Sequence, residues 1–153
     1  MFKLGNAART AIVGLILCWG LAPSICAAKA LFGRVTDIKS ADVVTLDHGG
    51  GRHDIRIAGI DVPAQQPFAR AARQLVANLV LGRNVRLRFI SRLPSGEMLG
   101  RLDTDDPVLG IKEVAVELVR AGLARVQPGF DGDFAKAESE ARNARRGLWA
   151  AAR

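Results

Sequence analysis

An α+β domain is what this sequence predicts, on three observations. The first half holds short β-branched runs separated by turn residues, one amphipathic helical stripe interrupts them, and two further helical stripes finish the chain. The 153 residues suffice for one ordinary domain, and 49% of them are apolar, so a core can be buried without disulfides or a structural metal. No internal repeat, low-complexity tract or linker divides the chain, and 31–150 reads as a single domain.

Leu31–Ile38 and Asp42–Asp47 read as strands. A turn at His48-Gly49-Gly50-Gly51 follows, where three successive glycines supply the positive φ of a tight hairpin, and the chain returns as a third strand over Arg52–Ile60. A helix comes next, with Pro67 in its first turn, an apolar stripe of Phe68, Ala71, Ala72, Leu75 and Leu79, and Gly82 as its stop. Arg83–Ser91 alternates strictly, Val85, Leu87 and Phe89 on one face and Arg86 and Arg88 on the other, which is the pattern of a half-buried strand. After the turn at Pro94-Ser95-Gly96, Met98–Thr104 is the fifth strand. A second helix is predicted from Lys112 to Ala121, ended by Gly122, with Val114, Ala115 and Leu118 inward. A third runs from Asp133 as N-cap to Gly147 on a stripe of Phe134, Ala137, Ala141 and Ala144, and Leu148 and Trp149 fold it back onto the body. Five short strands with an intervening helix fit a closed barrel of the oligonucleotide/oligosaccharide-binding (OB) type, here with three helices.

Residues 1–28 read as a secretory signal peptide, cut between 27 and 30. Lys3 and Arg9 precede an apolar heart at Ala11–Leu21, Pro23 and Ser24 break it, and the small residues Ala27, Ala28 and Ala30 follow. The alternative is an uncleaved membrane anchor, for which the apolar heart is short of the ~20 residues a span needs. A secreted or periplasmic protein without stable membrane insertion is therefore expected. Both cysteines, Cys18 and Cys26, fall inside this segment, which removes thiol nucleophiles, redox pairs and zinc ribbons from the functions open to the processed chain. The formal charge of +7 becomes +5 without Lys3 and Arg9, and +4 if Lys29 is also lost. That balance suits a polyanionic partner and equally an inert soluble protein.

Chemistry must then come from carboxylates, arginines and two histidines. In Arg56-Ile57-Ala58-Gly59-Ile60-Asp61-Val62-Pro63 an acid ends a strand just before a proline turn, with an arginine five residues upstream. A hairpin can bring Asp42 to the same barrel end. Two carboxylates with a backbone carbonyl and waters make a hard-cation site suited to Ca²⁺, and flanking arginines would clamp a phosphate.

These residues carry a resemblance. Ser40-Ala41-Asp42-Val43-Val44 followed by Arg56…Asp61-Val62-Pro63-Ala64 resembles, without a gap, the paired motifs of the staphylococcal nuclease (thermonuclease) family, an Asp-Gly-Asp-Thr turn and an Arg-Leu…Asp-x-Pro-Glu segment. Leu99-Gly100-Arg101 is similar to the family's Tyr-Gly-Arg, and Leu118–Ala124 and Arg146-Gly147-Leu148-Trp149 resemble its C-terminal segments. The resemblance implies a five-stranded OB barrel and Ca²⁺-dependent cleavage of DNA and RNA phosphodiesters. It places Asp42, Asp61 and the carbonyl of Val62 at the metal, and Arg56 and Arg101 on the phosphate as catalytic and substrate-binding groups, with Phe130 near a position where the family has an aromatic. It also marks departures. Ala64 stands at the general-base glutamate, Ser40, Ala41 and Val43 replace the turn's Asp, Gly and Thr, and Leu99 replaces the tyrosine. General-base catalysis contributes typically ~10²–10⁴ in rate, so the active site is expected to be degenerate, with hydrolysis weak or absent.

Other readings stay open at this level. The four charged residues can be a barrel-end ion-pair cluster, and Asp54, Gln65 or Gln66 could take over part of the missing base's work. His48 and His53 could hold a transition metal with Asp47, or lie exposed beside the turn. Arg86 and Arg88 could follow a nucleic-acid backbone or simply solubilise a face. The expected partners are nucleic acid or a protein, bound by a monomer, and the alternatives to a slow nuclease are a catalytically silent binding module or a structural envelope protein.

Overall fold

The computed structural model describes residues 30–106 and 110–150. The predicted signal segment lies outside the described residues, apart from the edge of the cut at Ala30. No helix among the described residues is long and apolar enough to cross a membrane.

Strands β1 (Ala30–Ile38), β2 (Val43–His48) and β3 (Gly51–Ile57) form an antiparallel meander. The short β4 (Ile60–Asp61) and helix α1 (Phe68–Val80) follow, then β5 (Asn84–Arg92) and β6 (Met98–Asp106), an antiparallel pair in which β5 also lies against β1. A parallel pairing of β3 with β6, Ile55 opposite Met98 and Ile57 opposite Gly100, closes the five strands β1, β2, β3, β6 and β5 into a barrel. That closure makes the domain the OB-type α+β fold expected. Strand β7 (Gly110–Glu113) extends the sheet beyond β6. Helix α2 (Val114–Arg120), strand β8 (Arg125–Val126, paired with β4), helix α3 (Asp133–Asn143) and a 3-10 turn over Gly147–Trp149 complete the chain.

Val35, Val44, Leu46, Ile55, Leu87 and Leu102 fill the barrel and are inaccessible or nearly so. Val76 and Val80 of α1, Leu118 and Val119 of α2, and Phe134 of α3 join them in one continuous core. The alternation in β5 is as expected, with Val85 and Leu87 inward.

Several predicted boundaries are corrected. The third strand does not run through to Ile60: it stops at Ile57, because Gly59 turns with φ +87° and the rings of Phe130 and Phe134 occupy the space of a Cβ there, at 2.7 and 2.9 Å. Asp42 lies in the turn before β2 rather than in the strand. Of the three hairpin glycines only Gly49 and Gly50 take positive φ, and Gly51 already belongs to β3. The buried spine of α1 is Ala72, Val76 and Val80; of the predicted stripe Ala72 is buried, Leu75 and Leu79 pack half-buried against the core, and Ala71 is exposed. The second helix starts at Val114, because residues 110–113 are taken by the sheet. The third ends at Asn143, and Asp133 is its first helical residue while Gly132 holds the N-cap position.

Candidate active site

Arg56 points outward from β3 because its neighbours Ile55 and Ile57 point in. The β1–β2 turn is closed by Lys39 and Ser40 amides donating to the Val43 carbonyl, each at 3.0 Å, and Ile57 N–H donates to the Asp42 carbonyl at 2.8 Å. The β2–β3 register sets Val43 opposite Arg56, so Asp42 falls beside the guanidinium. Arg56 Nη1 donates to Asp42 Oδ2 at 2.5 Å and Nε donates to Glu97 Oε2 at 2.9 Å. The other Asp42 oxygen accepts from Ser40 Oγ at 2.6 Å. Glu97, and then Asp42, raise the Arg56 pKa above its ordinary value despite partial burial. Glu97 is a member of this cluster that sequence reasoning missed: it reaches Arg56 only through the parallel β3–β6 pairing, which joins residues 41 apart in the chain.

Arg101 belongs to a second cluster. Its Nε and Nη2 grip the two Glu113 oxygens at 2.6 and 2.5 Å, and its guanidinium lies 5.3 Å from the centre of the Phe134 ring. Glu113 raises its pKa too. Arg88 bridges Glu113 (3.1 Å) and Asp103 (2.8 Å), and Arg86 adds two bonds to Asp103 at 2.8 and 3.1 Å. Asp103 is 3% exposed, a carboxylate out of water that needs both cations. Arg86 and Arg88 are thus committed to carboxylates of their own sheet.

Asp61 is exposed on β4, opposite Arg125. Phe130 is half-buried against Gly59 and the Phe134 ring, whose centre is 5.3 Å from its own. Lys39 and Thr45 hold Asp54, at 2.5 and 3.0 Å, and His48 Nδ1 lies 2.7 Å from the Phe32 carbonyl. An open cleft of about 460 Å³ lies between the β1–β2 turn, the 62–66 segment and α1; Asp42, Val62 and Ala64 line it, as do Lys39, Arg70 and Arg73. The structure therefore brings Asp42, Val62 and Ala64 to one cleft and Asp42 to Arg56, and gives Arg101 to another ion cluster. Among the described residues no three His, Cys, Asp or Glu side chains come together as a metal ligand set. Asp42 already has a partner on each oxygen, Ala64 offers no donor, and the other charges on the cleft wall are cations. This donor set fits Ca²⁺ poorly.

Residues 54–151 match the family described as staphylococcal nuclease homologue, well over half of the chain. The chain belongs to that family. A relative from Escherichia coli O157:H7, described as an uncharacterized endonuclease, is 30% identical over 141 residues, covering 90% of this chain and 86% of its own length. A probable endonuclease from Pyrenophora tritici-repentis is 29% identical over 167 residues, covering 84% of this chain, which spans 61% of that protein. A probable staphylococcal-like nuclease from Oryza sativa is 27% identical over 105 residues, covering 67% of this chain and 30% of its own length. For a staphylococcal nuclease homologue, the clusters around Arg56 and Arg101 stand at the positions where its sequence resembles the family's motifs.

Proposed function

We propose that this family member acts on nucleic acid outside the cytoplasm chiefly by binding it, and that its phosphodiester hydrolysis is weak. The observation that carries this reading is Ala64 in the cleft wall beside Asp42, a methyl group where water activation needs a proton acceptor. Arg56 and Arg101 supply guanidinium forks suited to phosphate. Each is loaded with a carboxylate, so a phosphate has to displace or share that contact. No step through Ca²⁺ follows from the residues present: Asp42 and Val62 share the cleft, but Asp61 is not on its wall and lies opposite Arg125.

The test is cleavage of single-stranded DNA and RNA by the protein and by Ala64→Glu, each with and without Ca²⁺. The expected outcome is slow cleavage by the natural chain and a gain of roughly 10²-fold or more in Ala64→Glu, which regains a proton acceptor in the cleft wall. Rapid cleavage by the natural chain would overturn the reading. So would the absence of any oligonucleotide affinity, measured by anisotropy at low salt.

A further inference from the structure

We infer that the cleft between the β1–β2 turn and α1 is a binding site for a phosphate group of the nucleic-acid backbone, held by Arg70 and Arg73 with Lys39 on the opposite wall. The inference rests on the nucleic-acid reading above and assigns to it a contact separate from Arg56 and Arg101.

Charge is the first argument. Between Asp61 and Glu97 the chain has six arginines and no acid, and α1 contains Arg70 and Arg73 as its only charged residues. Among the described residues the single carboxylate on the cleft wall, Asp42, has one oxygen on Arg56 and the other on Ser40, so it does not offset Arg70 and Arg73, which have no carboxylate partner. Ala64 adds no negative charge where a glutamate would repel an anion.

Geometry is the second. Arg70 and Arg73 stand three residues apart on one helix face, a spacing at which like charges repel and a shared anion relieves the repulsion. Both are exposed and both line the cleft. Among the described residues Arg70 makes no hydrogen bond or ion pair. Arg73 uses Nη2 on the Ile38 carbonyl at 2.8 Å, which fixes the fork at the cleft edge and leaves the other N–H groups of the guanidinium available. Lys39, on the opposite wall, spends its ammonium on Asp54 at 2.5 Å and bounds the cleft without adding a free cation, and Gln66 adds a neutral amide to the lining. About 460 Å³ admits a phosphate with its attached sugar.

The test compares the protein with Arg70→Ala/Arg73→Ala and with Arg83→Ala/Arg92→Ala, a control that removes the same charge outside the cleft. Affinity for a short oligothymidylate is measured against salt, with thermal melting to establish that each variant is folded. The cleft variant should lower the slope of log affinity against log salt by about 0.7, one phosphate contact on a single strand, while the control leaves the slope unchanged. An unchanged slope in the cleft variant, or an equal drop in the control, overturns the inference while the nucleic-acid reading stands. Should Arg73 prove necessary for folding, Arg70→Ala alone must still weaken binding more than Arg83→Ala. If the natural chain binds no oligonucleotide, the nucleic-acid reading fails, and titration with inorganic phosphate followed by ¹⁵N resonances decides the site: shifts confined to 39–42, 64–73 and the Arg70 and Arg73 Nε groups retain a site for free phosphate or small phosphate esters, and no shifts there end it.

Discussion

Lys39 and Asp54 show what one exposed contact does to its partners. The hydrogen bond from Lys39 holds the Asp54 carboxyl below its ordinary range, with Thr45 adding to the effect, and the same bond raises Lys39. Asp54 with a depressed pKa contributes stability that is present above its unfolded value and fades as pH falls through the folded one. Lys39 with a raised pKa contributes below its own unfolded value and loses that as pH rises through the folded one. Replacing Lys39 by alanine should therefore move the Asp54 midpoint up toward an ordinary carboxyl, as read by carbon-detected NMR titration; an unmoved midpoint would mean the pair does not persist in solution. At this scale the sequence discloses some partners and hides others. Asp42 and Arg56 are readable as neighbours because a hairpin joins them and Val43 lies opposite Arg56. Glu97 and Glu113, which hold Arg56 and Arg101, are not: Glu97 meets Arg56 only through the β3–β6 pairing that closes the barrel, and Glu113 meets Arg101 through β7, a strand the sequence pattern does not announce. Two arginines can be expected at a barrel mouth, but which acids they meet is decided by strand pairings without a local signal.

Elements were legible wherever one periodicity ruled a segment. Strand β5, with inward Val85 and Leu87 against outward Arg86 and Arg88, could hardly be read otherwise. Lys112 and Glu113, expected to open the second helix, belong instead to a four-residue strand that leads directly into α2 without a turn, and its place is set by β6 across from it. The C-terminal anchor carries a sharper test. Leu148 N–H donates to the Gly122 carbonyl at 2.8 Å, and a Cβ on Gly122 would sit 2.2 Å from the Arg146 carbonyl oxygen. Gly122 also has φ +71°. Gly122→Ala should therefore cost more than about 2 kcal/mol, from the left-handed conformation and the collision together. Gly129→Ala, with φ +88° but open space around the Cβ, should show only the conformational part, about 1–2 kcal/mol. Urea midpoints at unchanged m-value measure both, and equal losses would show that the close crossing of 122 over 146–147 contributes nothing.

For the molecule as a whole, the parallel seam between β3 and β6 matters most, since it closes a sheet already continuous through β1 and β5 into a barrel. Leu102, fully buried on β6, sits in the core that this seam encloses. Leu102→Ala should cost about 2–5 kcal/mol and lower the midpoint seen by circular dichroism and by hydrogen exchange alike. Two separated transitions would mean that the halves unfold independently. The fold class was legible because strand count, helix positions and turn chemistry agree with one another, whereas the closing pairing has no local signature. That seam also bridges Arg56 between Asp42 and Glu97, and the bridge sets a toll on any visitor. An ordinary phosphodiester, bearing one negative charge, can only swap places with a carboxylate of equal charge and so gains little by the exchange. A phosphorus centre gathering a second charge, as during displacement or at a strand's terminal phosphate, would displace the carboxylate more readily. On the function proposed above, Arg56 would thereby select for charge density instead of attracting every polyanion.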